Sequence, residues 1–358
     1  MADVPLIAAD DGNDHVKGHA GNDTISGDAG KDTLEGLGGD DSLSGGEDND
    51  VVKGGDQNDH LDGGEGNDKL RGGEGNDKLR GDDGNDTLRG GGGKDTIEGG
   101  DGDDVMVATG TDAESDVLRG GDGTDVLELA SPTVGLRGFN AKTSIEIIDG
   151  DPDDTGDKSA IVGTEKANTL NFETAQMIDV SMVSGGDGGD KITGSAEANT
   201  LIGDSGNDTL SGGDGGDTLG GGSGNDRLKG DEGDDALAGN EGNDKQHGGD
   251  GDYTIVGGSG NDTLFGDDGF DSFWFSLDPS ADDGKDTIKD FERGLDKIVI
   301  WDPDSLVDDL NPLDVSYAGN KTVINLNTTL AGAGKVIVSG VELQETDIEI
   351  VSDDMPLL

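Results

Sequence analysis

The chain has 358 residues, of which 81 are acidic and 24 are basic, so its formal net charge is −57. Only 29% of the residues are hydrophobic and cysteine is absent, which excludes disulfides, thiol chemistry and cysteine-based zinc sites. The acidic balance excludes nucleic acid as a partner, and no apolar run approaches the ~18 residues of a membrane span. Such a composition is typical of disordered polyanions, and it favours cations as ligands.

A nine-residue phrase, Gly-Gly-x-Gly-x-Asp-x-Leu-x, repeats along most of the chain. Residues 63–71 are a clear copy, and residues 72–80 are identical to them. Copies run in register over residues 9–107 and, after a three-residue insertion at 108–110, continue to residue 128; further copies begin at Gly185. A fixed short period predicts that one small structural unit is stacked many times.

Each position of the phrase has a physical role. Glycine at the first, second and fourth positions allows φ > 0 and lets carbonyl groups crowd inward without a Cβ clash. The last three positions predict a short strand whose central apolar residue points inward, as from Val16 to Met106 in the first array. Two phrases per coil therefore predict an all-β fold, a right-handed parallel β-roll with strands on two faces and turns along two edges.

The inward residues are too few to hold such a roll together, because each coil buries only two aliphatic side chains against the entropy of its whole backbone. A hard cation bound between turns would also neutralise the stacked carboxylates, and Ca²⁺ tolerates flexible oxygen surroundings better than Mg²⁺ does. Turns two phrases apart, such as those of Asp14 and Asp32, are expected to lie on the same edge. Multiple Ca²⁺ ions are thus expected, at most about 17 of them.

The phrase resembles the RTX hemolysin-type calcium-binding repeat family. That resemblance implies a calcium-loaded β-roll, export through a type I secretion apparatus of a Gram-negative bacterium, and folding outside the cell. It also implies that turn carbonyls and the sixth-position aspartates are the metal ligands. These aspartates are Asp14, Asp23, Asp32, Asp41, Asp50, Asp59, Asp68, Asp77, Asp86, Asp95, Asp104, Asp125, Asp190, Asp208, Asp217, Asp226, Asp235, Asp244, Asp262 and Asp271.

The second array departs from the phrase at three places. Asn199 and Tyr253 replace the sixth-position aspartate, and Gln246 occupies an inward position. We therefore expect weakened metal sites at Asn199 and Tyr253 and weakened packing at Gln246.

The segments outside the phrase divide the chain further. We expect an N-terminal cap strand over 1–8, a first array over 9–128, connecting coils over 129–184, a second array over 185–274 and a C-terminal β cap over 275–358. A separate small domain is the alternative for 129–184. The cap resembles the C-terminal part of serralysin-type metalloproteases; in such proteins a terminal segment like 347–358 directs secretion. A hairpin is expected where 315–317 and 322–326 flank a turn.

Catalytic residues are not indicated. No His-Glu-x-x-His is present, and His15, His19, His60 and His247 all lie inside repeats, where surface positions are expected. Carboxylate pairs are too frequent in this composition to indicate glycoside hydrolysis. We therefore expect a protein that is not an enzyme.

Basic residues cluster at outward positions of several consecutive phrases. Lys53, Lys69, Arg71 and Arg89 are expected on one face, and Lys78 and Arg80 on the other. One interpretation is contact with an acidic polysaccharide or lipopolysaccharide; the other is local compensation of the acidic turn edges.

Two functional hypotheses remain. The first is a secreted, extracellular calcium-binding protein that acts as a surface, matrix or host-interaction component. The second is an accessory module for a separately encoded polysaccharide-modifying enzyme or protease. Both require an expanded chain in chelator and a compact β-rich one in millimolar Ca²⁺.

Overall fold

In the computed structural model, residues 7–110, 112–139, 142–152, 155–156, 158–276, 284–301, 314–317, 321–325 and 335–351 are described. The chain forms two compact units, one of residues 1–164 and 170–181 and the other of 165–169 and 182–358.

Almost all regular structure is β-strand. The strands up to residue 129 are β1 (Ile7–Ala8), β2 (His15–Lys17), β3 (Thr24–Ala29), β4 (Thr33–Gly38), β5 (Ser42–Glu47), β6 (Val51–Asp56), β7 (His60–Glu65), β8 (Lys69–Glu74), β9 (Lys78–Asp83), β10 (Thr87–Gly92), β11 (Thr96–Asp101), β12 (Val105–Ala108), β13 (Val117–Asp122) and β14 (Val126–Leu129). Next come β15 (Thr133–Gly135), β16 (Gly138–Phe139), β17 (Ile147–Asp149), β18 (Ser159–Val162), β19 (Thr169–Asn171), β20 (Gln176–Ile178) and β21 (Val180–Ser184).

The later strands are β22 (Lys191–Thr193), β23 (Thr200–Ile202), β24 (Thr209–Asp214), β25 (Thr218–Ser223), β26 (Arg227–Glu232), β27 (Ala236–Gly242), β28 (Lys245–Asp250), β29 (Thr254–Gly260), β30 (Thr263–Asp268), β31 (Ser272–Ser276), β32 (Lys285–Ile288), β33 (Lys297–Trp301), β34 (Asp314–Tyr317), β35 (Lys321–Asn325), β36 (Lys335–Ser339) and β37 (Ile348–Val351). The described residues also form two short 3₁₀ helices, Asp112–Ser115 and Glu345–Asp347. Within the described ranges no helix is long and apolar enough to cross a membrane.

The first unit is built from alternate strands. Odd-numbered strands β1 to β13 form one parallel sheet, and β2, β4, β6, β8, β10, β12, β14, β17 and β20 form the other. Ser42 pairs with Thr24 and His60 with Ser42, so one coil contains two phrases. The predicted all-β parallel solenoid is confirmed.

The repeat strands are longer than the three residues predicted from the phrase. β8 contains six residues because pairing resumes after the first-position glycine: Gly73 and Glu74 pair with Gly91 and Gly92 of the next coil. The first-position residue, Gly72, is skipped in this register. The Gly72 peptide group is therefore not used in strand pairing, and it lies at the turn edge beside the sixth-position aspartates.

The core consists of two columns of eighth-position side chains. Ile25, Leu43 and Leu61 stack in one sheet, and Leu34 and Val52 stack in the other. Their exposure is at most 1%. The second unit has two such columns of its own, one with Val183, Leu201 and Leu219 and the other with Ile192, Leu210 and Leu228.

The connecting region follows the same plan with wider coils. Ile148 pairs with Met177, much further along the chain than the 18 residues that separate partners in the arrays. Leu170 is fully buried, and Asn168, two residues before it, is 3% exposed.

The C-terminal region of the second unit extends the solenoid and then turns back on itself. β31 pairs in parallel with β33, and β33 with β37. β34 and β35 form the predicted antiparallel hairpin, with Val315 opposite Ile324, and β35 pairs antiparallel with β36. Residues 318–320 and Leu326 of that prediction lie outside the described residues.

Candidate metal centre

The sixth-position aspartates occupy equivalent places along the turn edges. All of the predicted ones after Asp14 are at most 3% exposed, whereas Asp14, in the first phrase, is only half-buried. Carboxylates rarely lie so deep without a partner of opposite charge. The chain therefore concentrates many candidate anionic ligands along its edges.

From Asp32 onward, one oxygen of each sixth-position carboxylate accepts a backbone N–H of the preceding coil. The backbone N–H of Asp59 donates to Asp77 Oδ1 at 2.8 Å, and that of Asp77 donates to Asp95 Oδ1 at 2.8 Å. The same bond joins Asp208 to Asp226 in the second array, at 2.7 Å. Aspartates two phrases apart thus lie together on one edge, because the carboxylate of one accepts the backbone N–H of the other.

The other oxygen faces a space that a side chain would fill. Asp77 Oδ2 is buried without a hydrogen-bond partner, and a Cβ placed on Gly72 would clash with it. The same Cβ would lie only 2.6 Å from the Gly90 carbonyl oxygen, which belongs to the next coil. Repeats of this kind therefore form a small cradle lined by a carboxylate oxygen and a backbone carbonyl oxygen.

This cradle fits a hard cation such as Ca²⁺, which takes carboxylate and carbonyl oxygens as ligands. No cluster of three or more His, Cys, Asp or Glu side chains able to hold a metal occurs among the described residues. An ion held here would accordingly take many of its donors from backbone carbonyls.

Burial also changes the acidity of these groups. It raises the pKa of one set of carboxyls to about 7, and the charges of neighbouring carboxylates add to this in every member of the set. The set comprises Asp59, Asp86, Asp208, Asp217, Asp244 and Asp271. For Asp50, Asp77 and Asp104 burial raises the pKa to about 6. The backbone N–H bonds lower these values but do not offset desolvation.

Comparison with protein families agrees with this geometry. A family model described as RTX calcium-binding nonapeptide repeat (4 copies) matches residues 8–43, 35–70, 44–79, 71–106, 111–130, 184–219, 211–246 and 220–255, together more than half of the chain. The chain belongs to the RTX calcium-binding repeat family. A second model, described as peptidase M10 serralysin C terminal, matches residues 253–352.

Two solved structures are similar to this RTX chain. The extracellular lipase LipA from Serratia marcescens is 19% identical, with 87% of this chain and 40% of the lipase covered and a TM-score of 0.25. The AlgE6R3 subunit of the Azotobacter vinelandii mannuronan C5-epimerase is 20% identical, with 47% of this chain and 81% of that chain covered and a TM-score of 0.23. This chain thus spans 40% of the lipase's length. The comparison with curated proteins gave no match.

Fifth-position residues form a second ladder that the sequence analysis missed. Asn76 donates its backbone N–H and its Nδ2 to Asn58 Oδ1, at 2.8 and 3.0 Å. Asn243 repeats both bonds to Asn225 Oδ1 in the second array, each at 2.9 Å. The recurrence of asparagine at the fifth position is the sequence feature that could have indicated this ladder. These side chains satisfy turn amides beside the cradles.

The carboxylate ladder also continues past the predicted sites. Asp116 Oδ1, Glu146 Oε2, Asp286 Oδ1 and Asp296 Oδ1 each accept the backbone N–H of a preceding sixth-position aspartate. Asp286 and Asp296 each precede a residue and then an isoleucine, which matches the second half of the phrase. A fixed nine-residue period does not detect this match, because the coils before Asp286 and Asp296 are longer than 18 residues.

The three departures have distinct structures. Asn199 Oδ1 accepts the Ser195 N–H at 2.6 Å and lies beside Gly194, as a carboxylate oxygen would. The Tyr253 ring instead fills a cradle: a Cβ on Gly248 would lie 2.6 Å from the ring, and its hydroxyl donates to the Asp231 carbonyl at 2.9 Å. Gln246 is fully buried, with Nε2 donating to the Val256 carbonyl at 2.8 Å.

The histidines do not form a site of their own. His15, His19 and His60 are exposed, as predicted, although His19 Nε2 lies 3.2 Å from Asp23 Oδ1. His247 is half-buried, because its ring stacks on Phe265 with centroids 4.1 Å apart.

Proposed function

We propose that this RTX protein folds on binding Ca²⁺ outside the cell and acts there as a non-enzymatic surface, matrix or host-interaction component. The observation that carries the proposal is the buried carboxylate oxygen, without a hydrogen-bond partner, that faces a carbonyl oxygen in repeat after repeat. A buried charge of this kind is very unfavourable until a cation neutralises it.

The sixth-position aspartates named above are the proposed side-chain ligands. From Asp32 onward, their Oδ1 atoms orient the carboxylates by accepting backbone N–H groups, which leaves Oδ2 for the ion. First-position carbonyls, such as that of Gly90, supply further oxygens. A bound Ca²⁺ supplies positive charge that joins one turn to the next.

Metal binding and folding are then one process. The cradle needs oxygens from two coils, so the unfolded chain offers no equivalent site, and calcium stabilises the folded form by mass action. Low cytosolic Ca²⁺ leaves the chain expanded and able to pass through a channel, and higher Ca²⁺ outside stabilises the roll.

Circular dichroism and small-angle scattering test the calcium step. We expect a disordered, expanded chain with excess chelator and a compact, β-rich chain in millimolar Ca²⁺. Mg²⁺ at the same concentration is the control and should not fold the chain, since it requires stricter octahedral geometry. Equal β-structure with chelator and with Ca²⁺ would contradict the proposal.

Export is tested separately. We expect a type I secretion apparatus to export the full chain and to retain a variant that lacks residues 347–358, of which 352–358 lie outside the described residues. The purified variant is the control, because it should still bind calcium through its intact arrays. Export of the truncated chain at the normal level would contradict the proposed address.

A further inference from the structure

One inward position of the second array carries a side-chain amide instead of an aliphatic group. Gln246 lies on β28, where it pairs with Leu228 of the preceding coil and Leu264 of the next, and all three residues are fully buried. Burying an amide is unfavourable unless its polar atoms find partners. A glutamine within a column of leucines therefore requires a reason.

The two polar atoms of this amide are in different situations. Nε2 donates a hydrogen bond to the Val256 carbonyl oxygen at 2.8 Å. Oε1 is buried and has no hydrogen-bond partner among the described residues. The amide therefore keeps an oxygen with free lone pairs in the interior of the roll, where water does not reach it.

The amide also reaches the cradle of its own phrase. A Cβ placed on Gly239 would clash with Asp244 Oδ2 and with the Gly257 carbonyl oxygen, as in the other cradles. The same Cβ would lie 2.8 Å from Gln246 Nε2. Asp244 has the usual orientation, since its Oδ1 accepts the Asp226 N–H at 2.7 Å and its Oδ2 is buried without a partner. The glutamine head is thus a third polar group at this cradle.

The equivalent cradle one coil earlier is lined without an amide. The three atoms nearest to a Cβ on Gly221 are Asp226 Oδ2, the Gly239 carbonyl oxygen and Asp226 Cβ. The inward residue of that phrase is Leu228, which has no polar side-chain atom. The two cradles therefore differ by the amide of Gln246.

We propose that Gln246 is a further calcium ligand, whose amide oxygen joins Asp244 Oδ2 and the Gly257 carbonyl oxygen in one cradle. The nitrogen and oxygen of an amide are similar in size, and rotation about the last side-chain bond exchanges their places. Without an ion the nitrogen lies at the cradle as a donor. With Ca²⁺ the oxygen takes this place, because Ca²⁺ binds glutamine carbonyl oxygens. The inference rests on the proposed function and deepens it at one site.

Two variants with side chains of about the same length test this ligand. Q246E keeps an oxygen at the cradle, whereas Q246M removes both polar atoms; a calcium titration followed by circular dichroism gives the folding midpoint of each. We expect Q246E to fold at or below the midpoint of the unmodified chain, because a carboxylate is a stronger ligand for Ca²⁺. Q246M should fold at a calcium midpoint about twofold higher or more.

A role in packing alone predicts the reverse order of the two variants. Methionine suits an apolar column, whereas a buried glutamate away from any cation would be strongly unfavourable. A lower midpoint for Q246M than for Q246E would therefore overturn the inference. L228M is the matched control: it places methionine in the same column at a phrase without an amide, and it should leave the midpoint close to that of the unmodified chain.

A crystal structure of the calcium-loaded chain tests the contact directly. We expect the Gln246 amide oxygen at about 2.3–2.6 Å from an ion in this cradle. An amide oxygen that faces away from the ion, or that binds a water molecule instead, would overturn this inference and leave the proposed function intact. Equal β-structure with chelator and with Ca²⁺ would overturn both.

Discussion

At the scale of single residues, the first-position glycine and the sixth-position aspartate share one small space. Gly73 and Gly75, at the second and fourth positions, have φ values of 127° and 141°, in the region that favours glycine. Gly72 does not, and is needed because a Cβ there would enter the cradle of Asp77. The glycines of one phrase therefore serve two separate requirements, backbone conformation and space for a ligand.

Replacing Gly72 with alanine should therefore remove one calcium site. The added Cβ would clash with Asp77 Oδ2 and approach the Gly90 carbonyl oxygen, so we expect fewer bound ions and a higher calcium midpoint for folding. The measurement is a calcium titration followed by circular dichroism, with the bound ions counted by native mass spectrometry. Gly38→Ala is the control, since its Cβ would meet only Asp56 Cβ at 3.8 Å. Equal ion counts for the two variants would contradict the cradle.

Tyr253→Asp should have the opposite effect. The tyrosine ring fills the cradle between Gly230 and Gly248, and an aspartate there would restore the carboxylate. We expect about one more bound Ca²⁺ per chain by native mass spectrometry. Tyr253→Phe is the control; it should keep the ion count and lose about 1 kcal/mol of stability with the hydrogen bond to Asp231. An unchanged count in the aspartate variant would show that the ring does not block a site.

At the scale of elements, the turn edges link one coil to the next. Each edge carries a ladder of carboxylates whose Oδ1 atoms accept amides of the preceding coil, and a parallel ladder of fifth-position side chains. Buried aliphatic columns lie between the edges. The strands alone would leave the edges as rows of buried anions, so the stability of a coil depends on the protonation or metal binding of its turns.

The pH dependence follows from this arrangement. The folded-state pKa of carboxyls such as Asp86 and Asp217 is about 7, against an ordinary value of 3.8. The metal-free fold thus binds more protons than the unfolded chain, and its stability falls as pH rises from about 4 to about 7. Calcium requires the deprotonated form, so its apparent affinity should weaken as pH falls below about 7.

Calcium titrations near pH 6, 7 and 8, about the raised pKa values, measure this effect, with proton release followed by a pH indicator. The calcium midpoint should rise towards the acid end, and protons should be released on binding near neutral pH. A midpoint independent of pH, with no proton release, would contradict buried carboxylates as the ligands.

At the scale of the whole molecule, the net charge of −57 is not simply a surface property. All the predicted aspartates after Asp14 are buried along the edges of the two units. General screening acts on exposed charges and reaches buried ones much less. An ion bound in each cradle would neutralise the buried carboxylates, whereas a high salt concentration would mainly screen the exposed charges.

Sodium chloride should therefore fail to replace calcium. In excess chelator, NaCl at and above the ionic strength of the calcium sample should leave the chain expanded and without β-structure, as measured by scattering and circular dichroism. The matched calcium sample is the positive control. Folding in NaCl alone would mean that screening of the net charge, rather than binding in the cradles, controls the fold.

Sequence periodicity by itself determined the parallel solenoid, the two phrases per coil, the inward columns and the set of aspartates on each edge. These follow because the phrase is local and every copy meets the same neighbours. Only the tertiary structure decided which oxygen of Asp77 is held and which faces the cradle, that the Tyr253 ring fills one cradle, and that Asp286 and Asp296 extend the ladder across longer coils. It also showed that Arg80 forms an ion pair with Asp82 on its own strand, whereas Arg71 and Arg89 form none with the residues that the structure describes, because a nine-residue pattern does not specify side-chain conformation.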